Sequence, residues 1–329
     1  MLAVAIGADL MIAGEIVYAA PLVAEKLQLP WVSAILSPFS FFSSFDPSVM
    51  VNAPWLIHLR KGGPTAYRAV LNAGRLATRH WSNPVRHLRR EQGLRLKCDP
   101  VFRDKFSPHL VLALFSRWLA EPQRDWPSQT LQPGFVYYDN PAIDATLSSR
   151  LSCFLASGDA PIVFTQGSTA VHNPGEFYKV SATVAKRLGR RAVLLGAKIG
   201  PEVNSGDLLT LPYAPYSQLF PHAAVNVHQG GSGTTGEALR SGRPMLIVPY
   251  GWDQPDNANR VQRLGVALHV ARKEYSVETA TTALSLLLED SRLQHHVMRS
   301  SQSLDKRAQP AAILAWTADG SKPGPHRHL

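Results

Sequence analysis

The stretch His228-Gln229-Gly230-Gly231-Ser232-Gly233-Thr234-Thr235-Gly236-Glu237 decides how the rest of this chain is read. It follows a short apolar run, Ala224–Val227, and leads into a helix-like stretch, so it predicts a strand, a tight turn and a helix beginning near Ser232. Glycines at such a turn let backbone amides approach an anion, and a helix amino terminus offers unpaired N–H groups with the positive end of a dipole. A diphosphate would suit it, with Thr234 and Thr235 adding hydroxyl donors. Tight turning and close helix packing also favour glycine, so the stretch alone leaves both readings open.

Downstream, Met245–Val248 reads as a buried strand ending in Pro249-Tyr250-Gly251-Trp252-Asp253-Gln254-Pro255. Ligands of doubly wound sheets bind at the carboxyl ends of the strands. Asp253 and Gln254 offer the acceptors and donors that vicinal hydroxyls need, although Asp before Pro is equally a helix-capping pattern. Further strands are expected at Ile162–Thr165, Ala192–Leu195, Leu208–Leu211 and Val266–Val270, with helices starting near Pro174, Pro255 and Ser276. That alternation is the rhythm of a parallel sheet wrapped by helices.

The amino-terminal part reads differently. Strand-like runs at Asp9–Ala13 and Trp31–Leu36 flank a helix over Ala19–Leu27, and mostly helical segments follow. A strand pair alone makes no stable sheet, so this domain is expected to be incomplete or a remnant. The expected organisation is a partial domain over 1–138, a linker over 139–149, a second domain over 150–310 and a disordered tail over 311–329.

Composition narrows the class. With 45% hydrophobic and 18% charged residues, the 329-residue chain is an ordinary folded protein, long enough for two domains. Cys98 and Cys153 are far apart, which suggests neither a disulfide framework nor a thiolate metal site and fits a cytoplasmic setting. Net charge is +10, of which residues 60–97 hold +9, from ten Lys or Arg against Glu91. Interleaved Tyr67, Val70, Leu71, Leu76, Trp81, Val85 and Leu88 make amphipathic helices with basic faces. Such faces are either solvated surface or peripheral contacts with an anionic, inner-membrane surface; no nucleic-acid-binding motif accompanies them.

Taken together, the motifs between Tyr213 and Arg260 resemble the donor-binding motif of the UDP-glycosyltransferases, including the bacterial sterol-, macrolide- and rhamnosyl-type members. His228 opens the motif, Glu237 follows in the helix, and Asp253-Gln254 begins sixteen residues after Glu237. The resemblance implies a GT-B architecture, two Rossmann-like doubly wound domains with the amino-terminal one incomplete. It implies an inverting, metal-independent transfer of a hexose from a UDP- or dTDP-sugar to a hydroxyl of a hydrophobic small-molecule or lipid acceptor. No cofactor is implied, and no Asp-x-Asp sequence occurs.

Position by position, the resemblance puts His228, Gln229, Gly230, Gly231, Gly233, Thr234 and Thr235 around the diphosphate. It puts Glu237 on the ribose, Asp253 and Gln254 on the sugar, Tyr213 against the base and Ser168 at the cleft. Gln229 stands where many bacterial members carry a second histidine. The family's general-base histidine comes from an earlier βα loop that has no match here, leaving Glu15 as candidate relay acid. A non-catalytic nucleotide-sugar-binding remnant or gene fragment is therefore an alternative, and a sugar-nucleotide epimerase a third.

Overall fold

The computed structural model describes residues 1–96, 99–138, 145–167, 174–196, 205–290 and Val297. The chain divides into two compact units that part between Phe135 and Val136.

In the first unit, β1 (Met11–Gly14), β2 (Trp31–Ile35), β3 (Leu110–Ala113) and β4 (Thr130–Leu131) form a parallel sheet in the order β1-β2-β3-β4. The expected pair of strands is thus part of four among the described residues. β3 lies in a region expected to be mostly helical. Its residues Leu-Val-Leu-Ala are all buried, and an apolar run with no alternation cannot be assigned to strand or helix by periodicity. Pairing with β2, Val32 opposite Leu110 through Ile35 opposite Ala113, settles it. Helix α1 (Ala20–Leu27) buries Ala20, Leu22, Val23 and Ala24 and ends at Gln28, whose left-handed φ of 52° stops the helix before β2.

Between β2 and β3 stand a 3-10 helix over Pro54–Gly62, α2 (Gly63–Ala77), a 3-10 turn over Arg79–Ser82 and α3 (Asn83–Glu91). One cation of the segment expected to form basic faces turns inward. Arg89 is buried, donating to Glu25 Oε2 at 2.5 Å and through Nε to the Arg95 carbonyl. A guanidinium goes inside here because it is paired with Glu25 and its Nε donates to the backbone.

In the second unit α4 (Ala145–Ala156) occupies part of the stretch expected to be linker; buried Leu151 and Phe154 anchor it despite the serine-rich composition. Six parallel strands follow among the described residues: β5 (Ile162–Thr165), β6 (Ala192–Leu195), β7 (Leu208–Leu211), β8 (Val225–His228), β9 (Met245–Ile247) and β10 (Ala267–His269). Their order is β10-β9-β8-β5-β6-β7. The chain runs outward from β5 through β6 to β7, returns to β8 on the other side of β5, and continues to β10. Strand order therefore reverses between β5 and β8, the topological switch point of a doubly wound sheet.

Helices α5 (Phe177–Arg187), α6 (Ser232–Ser241), α7 (Gln254–Arg263) and α8 (Val277–Glu289) join this sheet. Ile162, Phe164, Val184, Val225, Leu246 and Leu284 belong to one buried cluster, which seats α5 and α8 on the strands. α8 starts with a capping box in which Ser276 Oγ accepts from the Thr279 amide and Thr279 Oγ1 accepts from the Ser276 amide. No helix among the described residues is long and apolar enough to cross a membrane. The expected tail over 311–329 lies outside the described residues.

Candidate nucleotide-sugar site

At the switch point the turn after β8 meets the turn after β5. Gly230 has φ +87°, and a Cβ there would stand 2.8 Å from Ile247 Cγ2 and 3.2 Å from the Gln254 carbonyl. Glycine is required by both conformation and space. It lets the chain turn directly from β8 into α6, whose amino end has neither a side-chain cap at Gly231 nor an acid in its first turn. Gly233 differs: a Cβ there would meet nothing within 4 Å. Its missing side chain serves no protein neighbour and leaves the helix amino end open to an anion.

His228, the last residue of β8, is fully buried. Its Nδ1 accepts the Gly230 amide at 3.0 Å, which fixes the neutral tautomer with the proton on Nε2. Burial alone pushes its pKa down to about 3. Nε2 has no hydrogen-bond partner among the described residues, and neither does Thr235 Oγ1 in the first turns of α6. Buried polar atoms nearly always find partners, so unpartnered donors at the open end of a helix fit an acceptor-rich ligand such as a diphosphate.

Gln229 is buried beside them, with Nε2 3.5 Å from Thr234 Oγ1 and packed on Gly167 in the turn after β5. Ser168, expected at this turn, lies outside the described residues. Glu237, one turn into α6, is buried and ion-paired with Arg240 at 3.2 Å, and the Arg240 guanidinium sits 4.3 Å from the centre of the Tyr137 ring. Glu237 and Arg240 line a cavity of about 290 Å³ with Tyr216 and Ser217.

Asp253 and Gln254 open α7. The Asp253 side chain makes no capping hydrogen bond; its Oδ2 accepts from Asn257 Nδ2 at 2.8 Å. Gln254 commits its side-chain carbonyl to the loop, accepting the amides of Tyr250 at 2.7 Å and Gly251 at 3.3 Å. Trp252 adopts a left-handed φ of 57° at the tip of this loop and is exposed.

Asn257 was not singled out from sequence. Fully buried, it donates to the Gly230 carbonyl at 2.9 Å as well as to Asp253, tying the glycine-rich turn to the acidic loop. The available signal was its spacing: Asn257 stands four residues after Asp253, on the same helix face. Tyr213, expected against a base, is 47% exposed, whereas Tyr216 is partly buried with its hydroxyl 3.3 Å from Thr165 Oγ1. Burial raises the Tyr216 pKa, opposed by hydrogen bonds with Thr165 and Thr234.

In the first unit, Glu15 follows β1, accepting from Ser40 Oγ at 3.1 Å and the Leu36 amide at 3.4 Å. Lys105 is buried nearby in charge, its ammonium 4.9 Å from the Phe42 ring centre and 5.3 Å from that of Phe106. Burial pushes Lys105 down to about 8, partly offset by the charges of Glu15 and Asp99.

Residues 195–315 match the family described as erythromycin biosynthesis protein CIII-like, C-terminal domain. The fold is that of GT-B proteins, and the sequence is similar to those of glycosyltransferases. The O-mycaminosyltylonolide 6-deoxyallosyltransferase of Streptomyces fradiae is 40% identical over 162 residues, 49% of this chain and 37% of that protein. A sterol 3-beta-glucosyltransferase of Arabidopsis thaliana is 28% identical over 317 residues, 91% of this chain and 46% of that protein. The chain thus spans less than half the length of these two curated relatives. Among solved structures, the spinosyn rhamnosyltransferase SpnG in complex with thymidine diphosphate superposes with a TM-score of 0.66 at 18% identity, covering 97% of this chain and 75% of that one. That likeness is one of fold.

Proposed function

We propose that the chain transfers a hexose from a nucleotide diphosphate sugar, UDP- or dTDP-linked, to a hydroxyl of a hydrophobic acceptor, with inversion and without a metal. The observation that carries this reading is His228: a neutral imidazole, locked by the Gly230 amide, with its Nε2 proton unspent beside the uncapped start of α6. In the reaction, the acceptor oxygen bonds to the anomeric carbon as the bond to the diphosphate oxygen breaks. The hydroxyl proton passes to a base, and negative charge grows on the leaving diphosphate. His228, Thr235 and the amides of α6 would meet that charge in a preorganised, partly dry site. Asp253 and the Gln254 amide would hold the sugar hydroxyls, Glu237 the ribose, and Glu15, the candidate acid of the acceptor side, would take the hydroxyl proton.

The acceptor class is supported by the names of the relatives, which refer to a sterol and to a tylonolide glycoside. Glycosyltransferases among both relatives and structural neighbours favour transfer over a binding-only role. The proposed setting is cytoplasmic, with peripheral contact to an anionic membrane through residues 60–97. Calorimetric titration with UDP, dTDP and their glucose and rhamnose conjugates, followed by transfer assays on sterol and macrolide alcohols, tests the reading. Micromolar donor binding with product formation is expected. Absence of binding to every nucleotide, or release of an epimerised free sugar nucleotide, would sink it.

A further inference from the structure

The helical insertion between β2 and β3 shows an unusual surface. Among its described residues Tyr67, Leu71, Ser82 and Arg89 are buried, while three of its largest apolar side chains face solvent: Trp55 at 62%, Leu76 at 72% and Trp81 at 60% exposure. Three of its cations are used internally. Arg89 is paired inside, Arg68 lies over the Phe45 ring and Arg75 over Phe102 beside Asp99. Arg60, Lys61, Arg79 and Arg90 remain exposed with no ion pair among the described residues, and the segment's acid, Glu91, is paired with His87 at 3.1 Å.

We infer that this insertion is a membrane-docking surface, in which Trp55, Leu76 and Trp81 enter the interfacial zone of an anionic bilayer while Arg60, Lys61 and Arg79 engage lipid headgroups. The inference rests on the peripheral membrane contact proposed above and names the side chains that make it, while standing apart from the transfer reaction. Two arguments choose the occupant. A nucleic-acid backbone would satisfy the cations but offers no apolar interior for Leu76, whereas the bilayer interface accepts tryptophan and aliphatic side chains beside Lys and Arg. A second copy of this surface would set unpaired cations against one another, so charge complementarity opposes self-association and favours anionic lipid.

Flotation of the 329-residue chain with phosphatidylcholine vesicles, with and without phosphatidylglycerol, measures the binding. It should require phosphatidylglycerol and weaken as salt rises and the Debye length falls below about 10 Å. The triple variant R60Q/K61Q/R79Q should lose about a hundredfold in partitioning, roughly fivefold per cation. The double variant W55S/W81S should keep the salt dependence, bind more weakly and lose the quenching of fluorescence that brominated lipid produces in the parent protein. Unchanged circular dichroism and urea unfolding in both variants would show that they are folded. Binding indifferent to phosphatidylglycerol overturns the inference, as does quenching that survives in W55S/W81S. Tighter binding to duplex DNA than to the vesicles, or a lipid-free dimer that W55S/W81S abolishes, overturns it equally.

Discussion

The glycine-rich turn and the basic helical insertion are both rich in polar groups, yet they treat those groups in opposite ways. In the turn, His228, Gln229, Thr235 and Asn257 are buried, and each position is set by a neighbour: Gly230 by Ile247, His228 by Gly230, Gly230 by Asn257. In the insertion, most charged side chains point to water, and screening limits what each is worth. The difference predicts how each region responds to change. Substitutions in the turn should be costly, coupled and insensitive to salt, whereas those in the insertion should be small, additive and salt-dependent.

The most severe test of that contrast is Gly230→Ala. A side chain there conflicts with a φ of +87° and with Ile247, so denaturant unfolding should show a loss of about 3 kcal/mol, from strain and overpacking together. A loss below about 1 kcal/mol would mean that the turn relaxes freely and is not fixed by its neighbours.

Asn257→Ala should cost about 2 kcal/mol of stability, the penalty for stranding the buried Gly230 carbonyl. It should also reduce affinity for a nucleotide sugar more than for the free nucleotide, because Asp253 loses its tether. Asn257→Asp sharpens the point: two facing carboxylates repel at neutral pH, and a shared proton restores one donor in acid. Recovery of nucleotide-sugar binding on acidification is expected in calorimetry, and equal weakness at every pH would deny the tether.

Glu237→Ala is expected to weaken nucleotide binding by roughly 1 to 3 kcal/mol with the fold intact, as removal of hydrogen bonds to a charged group does. Unchanged affinity in calorimetry would confine Glu237 to its ion pair with Arg240.

Per pH unit the effect of acid is smaller, about 1.4 kcal/mol. His228 has a folded pKa of about 3, below the ordinary histidine value of 6.5, so between these limits the unfolded chain holds the extra proton. Stability contributed by the neutral imidazole is therefore fully present above about 6.5 and falls as pH drops toward 3, with a slope of about 1.4 kcal/mol per pH unit. His228→Asn, whose side-chain oxygen can still accept the Gly230 amide, should flatten urea-derived stability across that window by about this slope. An unaltered slope would show that the imidazole is not held neutral.

Much of the second unit was legible in the sequence because its signals are local. The expected runs at Ile162–Thr165, Ala192–Leu195 and Leu208–Leu211 coincide with β5, β6 and β7, and Ser276 begins α8 through its own side chain. β3 was not legible, since burial on both faces erases the alternation that marks a strand. Nor was the inward turn of Arg89, which depends on Glu25 in a helix far off in sequence. At the site, glycine and histidine positions were readable because the turn needs those residue types. Asn257 and the loop-bound carbonyl of Gln254 were not, because an amide's partners are chosen by tertiary contacts that no pattern in the chain announces.

Gly167 carries one last consequence, for anyone who would alter this protein by mutation. Its φ of +59° is a conformation that asparagine or aspartate can sometimes adopt, yet a Cβ at this position would fall inside the envelope of the Gln229 amide. The two positions behave as a single locus. A random library that varies Gly167 alone should return almost only glycine, and substitutions of Gln229 by serine or alanine should appear first wherever Gly167 has been replaced, so that recombination between such variants would break proteins whose parents both fold.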